Sequence, residues 1–280
     1  LSLLVPYFIF SFTTYLFWLL IGRNFGTDAN THIHPIKPLI GIFYSIGLDG
    51  WLIHNVPLWF LTCLFVVEMT FYWISQLDQK LILLSVILCS IISYVLSITV
   101  HVRLPWSIDV ALAAILFYGV AYVFKKKVFL LFETKPKLLY IIMTSFVGFV
   151  VANTNGYVDM NGNHYGNYFY FYIGAFTGIF LVLMVAKHLE QVRFLSFWGK
   201  NSLIILALHS VALSFVKAIL IFGFHFSLEE AVKSWFWCFI YTIGTLILLT
   251  PVIMFINKYM PFILGRPFTN DTRSLIKIDT

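Results

Sequence analysis

Eight stretches of mostly apolar residues, most about twenty long, recur along this chain, and they leave it one solvent in which to fold. They run Leu3–Gly22, Pro57–Ser75, Leu81–Val100, Trp106–Phe124, Leu138–Ala152, Tyr168–Lys187, Asn201–Phe222 and Ala231–Ile256. A helix needs about 20 such residues to cross the hydrocarbon of a bilayer. Inside that hydrocarbon every backbone N–H and C=O must find its partner within the protein, which single helices of this length achieve. The fold class expected is therefore all-α: a polytopic transmembrane helix bundle of about eight spans over residues 1–256, followed by a cytoplasmic tail, 257–280. The fifth stretch is the shortest and is open to being tilted or partly re-entrant. Composition agrees: charged residues make up 11% of the 280, against about 25% in soluble domains.

The net charge of +6 then reads as topology. One set of connections carries Lys80, Lys125–Lys127, Lys135, Lys137, Lys187, Arg193, Lys200 and the tail residues Lys258, Arg266, Arg273 and Lys277. The alternate set carries only Arg23, Lys37, Arg103 and Lys233, with Lys217 inside a helix. Cytoplasmic loops collect lysine and arginine, so the first set is expected in the cytoplasm, in the cell (plasma or inner) membrane. No basic patch interleaved with exposed aromatics stands outside the apolar runs, which argues against a nucleic-acid partner and leaves the lipid bilayer as the first one. Leu1 comes out cytoplasmic. The chain opens inside an apolar segment without a basic n-region, so further sequence, with an even number of spans, is expected upstream.

The non-cytoplasmic connections differ in character. Residues 23–56 hold His32, His34, Asp49, Gly50, Trp51 and His54, and 153–167 alternate Asn, Gly, Tyr, Asp and His. Amides beside flat rings suit a sugar, whose hydroxyls want paired donors and acceptors and whose C–H faces want stacking. Asn and Gly also dominate turns for backbone reasons alone. His32 and His34 lack a third ligand at zinc spacing, Cys63, Cys89 and Cys238 share no ligand spacing, and no metal site is expected.

Two side chains are candidates for catalysis. Glu68 is the twelfth residue of the run from Pro57, near the expected midplane, where a charge is unfavourable by about 2.5–3.5 kcal/mol and usually marks a site. It could act as a base or orient a histidine; polar residues also tie helices together without chemistry. Tyr72, four residues on, shares its helical face. His209 follows Asn201 and Ser202 at about 12 Å depth along a helix that starts at the cytoplasmic face; it could move a proton at neutral pH or simply bond a neighbouring helix. Asn201 or Ser202 would cap that helix. Arg103 could meet a polar acceptor at the outer face, or pair with Asp109 to anchor a helix end. No phosphate-binding Gly-rich loop, Gly-x-Ser-x-Gly or metalloprotease motif is present.

Three segments together carry a resemblance. Pro57-Leu-Trp-Phe-Leu with Val67-Glu-x-x-Phe-Tyr72, Leu104-Pro-Trp-Ser-Ile-Asp-Val-Ala-Leu112 with Phe117-Tyr-Gly119, and Phe197-Trp-Gly-Lys-Asn-Ser-Leu-Ile-Ile-Leu-Ala-Leu-His209 resemble the membrane acyltransferase-3 family, nearest the fucose 4-O-acetylase-like sugar O-acetyltransferases. The resemblance implies a ten-helix enzyme that moves an acyl group, usually acetyl, from cytoplasmic acetyl-CoA or another acyl-CoA to a hydroxyl of a glycan or lipid-linked sugar acceptor, modifying a cell-surface polysaccharide. In the family the base is normally a histidine of the first helix, which Glu68 would orient or make more basic. With the reading of the residues, Glu68 and His209 are the candidates for catalysis and Trp59, Tyr72, Arg103, Asn201 and Ser202 those for substrate binding. The family's arginine and histidine, ten residues apart within the first helix, lie on none of these spans. The alternatives are a polysaccharide flippase or export component without chemistry, or an inactive module built on the same scaffold.

Overall fold

The computed structural model describes residues 2–24, 31–100, 102–131, 133, 136–223 and 235–265. Lys135, Lys233, the first residues of the eighth apolar run and most of the expected tail lie outside them. The helices are α1 (Leu4–Leu20), α2 (Ile36–Tyr44), α3 (Trp59–Ile74), α4 (Gln79–Thr99), α5 (Ile108–Leu131), α6 (Leu138–Asn155), α7 (Tyr168–Leu189), α8 (Arg193–Lys200), α9 (Ser202–Ala218) and α10 (Trp235–Tyr259). Eight of the described helical segments are long and apolar enough to cross a membrane, and each falls on one of the eight sequence runs. The fifth is a continuous helix of 18 residues. The last continues through Tyr259, past the boundary expected at 256.

The described chain divides into two compact units: one of Leu1–Ile42, Leu52–Leu58 and Phe197–Thr280, the other of Phe43–Trp51 and Trp59–Ser196. In the second, α3, α4 and α5 share a core of Cys63, Val67, Phe71, Ile82, Val86, Val110, Ala111 and Ile115. Lipid tails are as apolar as leucine, so helices in a bilayer associate through close packing and hydrogen bonds rather than through the hydrophobic effect. Gly119 shows the first device: a Cβ there would stand 2.6 Å from Val86 Cγ1, so α4 and α5 approach as only glycine permits. Ser93 shows the second, its Oγ donating to the Asp109 carbonyl at 2.6 Å. Tyr172 adds a third strut from α7, donating to the Ala113 carbonyl at 3.1 Å and accepting from Ser90 Oγ at 2.9 Å. Against α7, α6 packs through small residues, with Gly148 facing Thr177 and Gly174 facing Val151, and buries none of its own residues.

In the first unit α9 packs on α10, where Gly244 meets Val216, and α1 reaches α9 through the Phe17–Phe215 ring pair at 5.7 Å. Tyr7 and Tyr15, two turns apart on the buried face of α1, donate to the Ile42 and Pro35 carbonyls at 2.6 and 3.1 Å. These two bonds hold α2, a helix inside the connection that the sequence presents as one long loop.

Candidate functional site

Within the second unit a polar knot gathers around Arg103. The chain turns through Trp106 and Ser107, both with positive φ (57° and 52°), before α5 begins, and this brings Asp109 back onto the arginine. Arg103 Nε donates to Asp109 Oδ2 at 2.5 Å and Nη2 to Oδ1 at 3.3 Å, while Nη1 donates to the Asn161 carbonyl. The Arg103 carbonyl accepts from Tyr44 at 2.9 Å, and Trp106 Nε1 donates to the Phe43 carbonyl at 2.7 Å. Asn161 Nδ2 in turn donates to the Gly47 carbonyl at 3.1 Å. Gly47 lies so close to Trp59 and Asn161 that a Cβ would stand 2.8 Å from the indole Cδ1 and 2.6 Å from the amide oxygen. Trp59, at the start of α3, is thereby fixed beside the knot and half-buried. The Arg103 and Asp109 side chains keep 11% and 4% exposure. Each of the three guanidinium nitrogens donates within the protein, so the geometry supports the helix-anchoring reading of Arg103.

The amides of residues 153–167 go mainly to their own backbone. Asn167 Oδ1 accepts from Phe169 and Tyr170 N–H and caps α7, where an amide is among the best caps. Asn155 donates to the Tyr165 carbonyl at 3.1 Å and accepts from Asn167 N–H at 2.7 Å. Burial pushes the Tyr165 hydroxyl above its ordinary pKa. Only Asn161 Oδ1 and Asn163 Oδ1 among these loop amides are buried without a partner in the described residues.

Glu68 sits outside the core of α3. The buried stripe of that helix is Cys63, Val67 and Phe71, and Glu68, about 100° round from Val67, is exposed, with Tyr72 on the same outward face at 59%. No hydrogen bond or ion pair joins Glu68 to a described residue. The usual inward aspect of an intramembrane acid is thus not what these residues provide.

In the first unit α9 starts at Asn201, which stands at the N-cap position without capping. Its Nδ2 donates back to the Phe197 carbonyl at 2.8 Å, and its Oδ1 accepts from Asn257 Nδ2 of α10 at 2.7 Å. Ser202 beside it is exposed. A half-open recess of about 60 Å³ is lined by Lys200, Asn201, Leu203, Ile204 and Leu264. Further along α9, His209 is half-buried, its Nδ1 3.1 Å from the Ile205 carbonyl and 3.0 Å from that of Leu206. A carbonyl can only accept, so Nδ1 carries the hydrogen, which in a neutral ring makes Nε2 the acceptor.

Sequence reading passed over one group. Ser11 and Thr14 of α1, with His54 and Asn55, are all buried, and burial lowers the His54 pKa from 6.5 to about 4. The available signal was two hydroxyl residues three apart in an otherwise apolar run, opposite a His-Asn pair just before Pro57. Arg23 and His34 do have ten residues between them, but they share no helix: Arg23 belongs to the short turn Gly22–Asn24, and His34 precedes α2.

Compared with known proteins, residues 1–254 match the family model described as the acyltransferase domain of the acyltransferase-3 type. No curated protein and no solved structure matches the chain.

Proposed function

The chain belongs to the acyltransferase-3 family of membrane acyltransferases, and on that premise we propose that it moves an acetyl group from cytoplasmic acetyl-CoA to a hydroxyl of a cell-surface glycan or its lipid-linked precursor. The observation that carries this reading is the family match over residues 1–254 of a chain with eight candidate spans. In the reaction a sugar oxygen attacks the thioester carbonyl, a C–O bond forms, the C–S bond breaks, and the hydroxyl proton passes through a base to the departing thiolate. Proton transfer of this kind contributes about 10²–10⁴-fold.

His209 supports the proposal through its tautomer, because the Nε2 lone pair is the form a base requires. Glu68 supports it as a carboxylate without a partner among the described residues, set within an apolar helix of the other unit. The lysines at 125–127 would draw the polyphosphate head of the donor, since clustered cations steer anionic ligands. Trp59 and Tyr72 would offer ring faces to the acceptor, and Asn201 and Ser202 would line the donor's approach to α9. The loops rich in lysine and arginine belong on the cytoplasmic side in this reading, in the plasma or inner membrane.

The test is radiolabelled acetyl transfer in native membranes, with acetyl-CoA supplied on the cytoplasmic side and glycan acetylation read out. Transfer that requires acetyl-CoA supports the enzyme; glycan movement indifferent to acetyl-CoA would point to export instead. Replacing the exposed Glu68 by glutamine should leave the folded yield unchanged and lower transfer by about 10²-fold. A rate within twofold of the native one would remove Glu68 from the mechanism.

A further inference from the structure

Residues 52–58 meet the middle of α1 and the second turn of α9. Asn55 Nδ2 donates to the Ala207 carbonyl at 2.7 Å and to Thr14 Oγ1 at 3.4 Å. Thr14 lies in the middle part of α1, and Ala207 is the sixth residue of α9. The segment that reaches them consists of turns and one short 3-10 element, Val56–Leu58. Non-helical backbone at membrane depth is tolerated only where protein covers it or where it lines a wet cavity. Two of its apolar members, Leu52 and Leu58, have no exposure, while Val56 keeps 39%.

Its polar members are covered but not satisfied. Both ring nitrogens of His54, Asn55 Oδ1 and Ser11 Oγ are buried without a hydrogen-bond partner among the described residues. The three residues are 6%, 1% and 0% exposed. Thr14 Oγ1 also approaches the Ser11 carbonyl at 3.3 Å, so Ser11 lies one turn from the Asn55 contact on the same side of α1. The Tyr15 ring meets the His54 ring edge-on at 5.7 Å. A buried polar group left unpaired is unfavourable by about 1–3 kcal/mol, so three such side chains on two facing segments favour any hydrogen-bonding group that completes them.

We infer that Ser11, His54 and Asn55 form a buried binding site for an uncharged hydroxyl-bearing ligand, a sugar hydroxyl group of the acceptor in the transferase reading on which this assignment rests. The chemistry of the donors and acceptors selects it. A neutral imidazole offers one N–H and one lone pair, the carboxamide oxygen accepts, and the serine hydroxyl does either, which matches neighbouring hydroxyls of a sugar ring. Burial keeps His54 uncharged at neutral pH. No lysine or arginine is among these residues, so a phosphate or carboxylate would find no counter-charge.

The experiment labels the detergent-solubilised protein with diethyl pyrocarbonate, which acylates neutral imidazole, and follows His54 by peptide mass spectrometry apart from the other seven of the eight histidines. Methyl glucoside and N-acetylglucosamine serve as neutral probes, with glucuronic acid and CoA as charged ones. The expected result is that His54 is labelled in the folded protein, that the neutral sugars slow its labelling several-fold, and that the charged probes do not. Ser11→Ala, a small change that spares the fold, should weaken the protection by about tenfold, the loss of one hydrogen bond. A His54 that resists labelling until the protein is unfolded, or whose labelling ignores every sugar, overturns the site. Protection by sugar in a protein that transfers no acetyl group keeps the site and ends the transferase reading. Acetyl transfer with an unchanged acceptor KM in both Ser11→Ala and His54→Gln keeps the transferase and ends the site.

Discussion

Removing the Arg103 guanidinium leaves the Asp109 carboxylate, 4% exposed, buried without its cation. Breaking such a pair from one side typically destabilises by about 3–5 kcal/mol, because the surviving charge stays desolvated. Arg103→Ala also frees the Asn161 carbonyl and unclamps the backbone at Trp106 and Ser107, whose positive φ values are held only by their surroundings. At about 2–4 °C per kcal/mol, the melting temperature in detergent should fall by about 6–20 °C. The distinguishing measurement is the double-mutant cycle. Asp109→Asn removes the orphaned charge, so Arg103→Ala with Asp109→Asn should be more stable than the sum of the singles allows, with a coupling of about 2 kcal/mol or more. Arg103→Lys should fall between native and Ala, since a point charge cannot serve three directions. A loss under 1 kcal/mol for Arg103→Ala, with additive singles, would refute the view that this pair anchors α5.

Further outcomes follow from the same geometry. His54 titrates at about 4 when folded against 6.5 in the reference state, so the unfolded chain takes the proton first as pH falls. Stability is full above pH 6.5 and declines toward pH 4 by up to about 3 kcal/mol; equal pH dependence of melting in native protein and His54→Gln would contradict it. Ser107 combines φ of 52° with a buried, unpartnered hydroxyl, so Ser107→Gly should raise stability by about 1 kcal/mol, read by thermal unfolding; a fall would show that the hydroxyl is bonded. Gly119→Leu would drive a side chain into Val86 and cost about 1–3 kcal/mol, part of it recovered by adding Val86→Ala; no recovery would place the strain elsewhere.

The spans were legible because twenty apolar residues have one outcome in a bilayer, whatever their neighbours. The connection 23–56 was not, because α2 is nine residues long and its place depends on two tyrosine hydroxyls from α1, which no local pattern announces. Arg103 and Asp109 could be paired from a six-residue interval, yet the closure onto Asn161 lies 58 residues away. The outward face of Glu68 was equally hidden: α3 is apolar all round, so hydropathy does not say which stripe turns inward, and Cys63, Val67 and Phe71 decide it through packing. His54 and Asn55 read as loop residues because their burial comes from the middle of α1 and α9.

The fifth span carries a consequence for the surrounding lipid. With 18 residues at 1.5 Å each, α6 is about 27 Å long, and none of its residues is buried. Tilting would only shorten its reach across a hydrocarbon layer of about 30 Å. The bilayer must thin beside it, or Lys137 and the Asn153–Asn155 end must stretch toward the headgroups, at fractions of a kcal/mol per Å of mismatch. A thin membrane fits this helix best, and lengthening the acyl chains around it raises the mismatch that α6 must absorb.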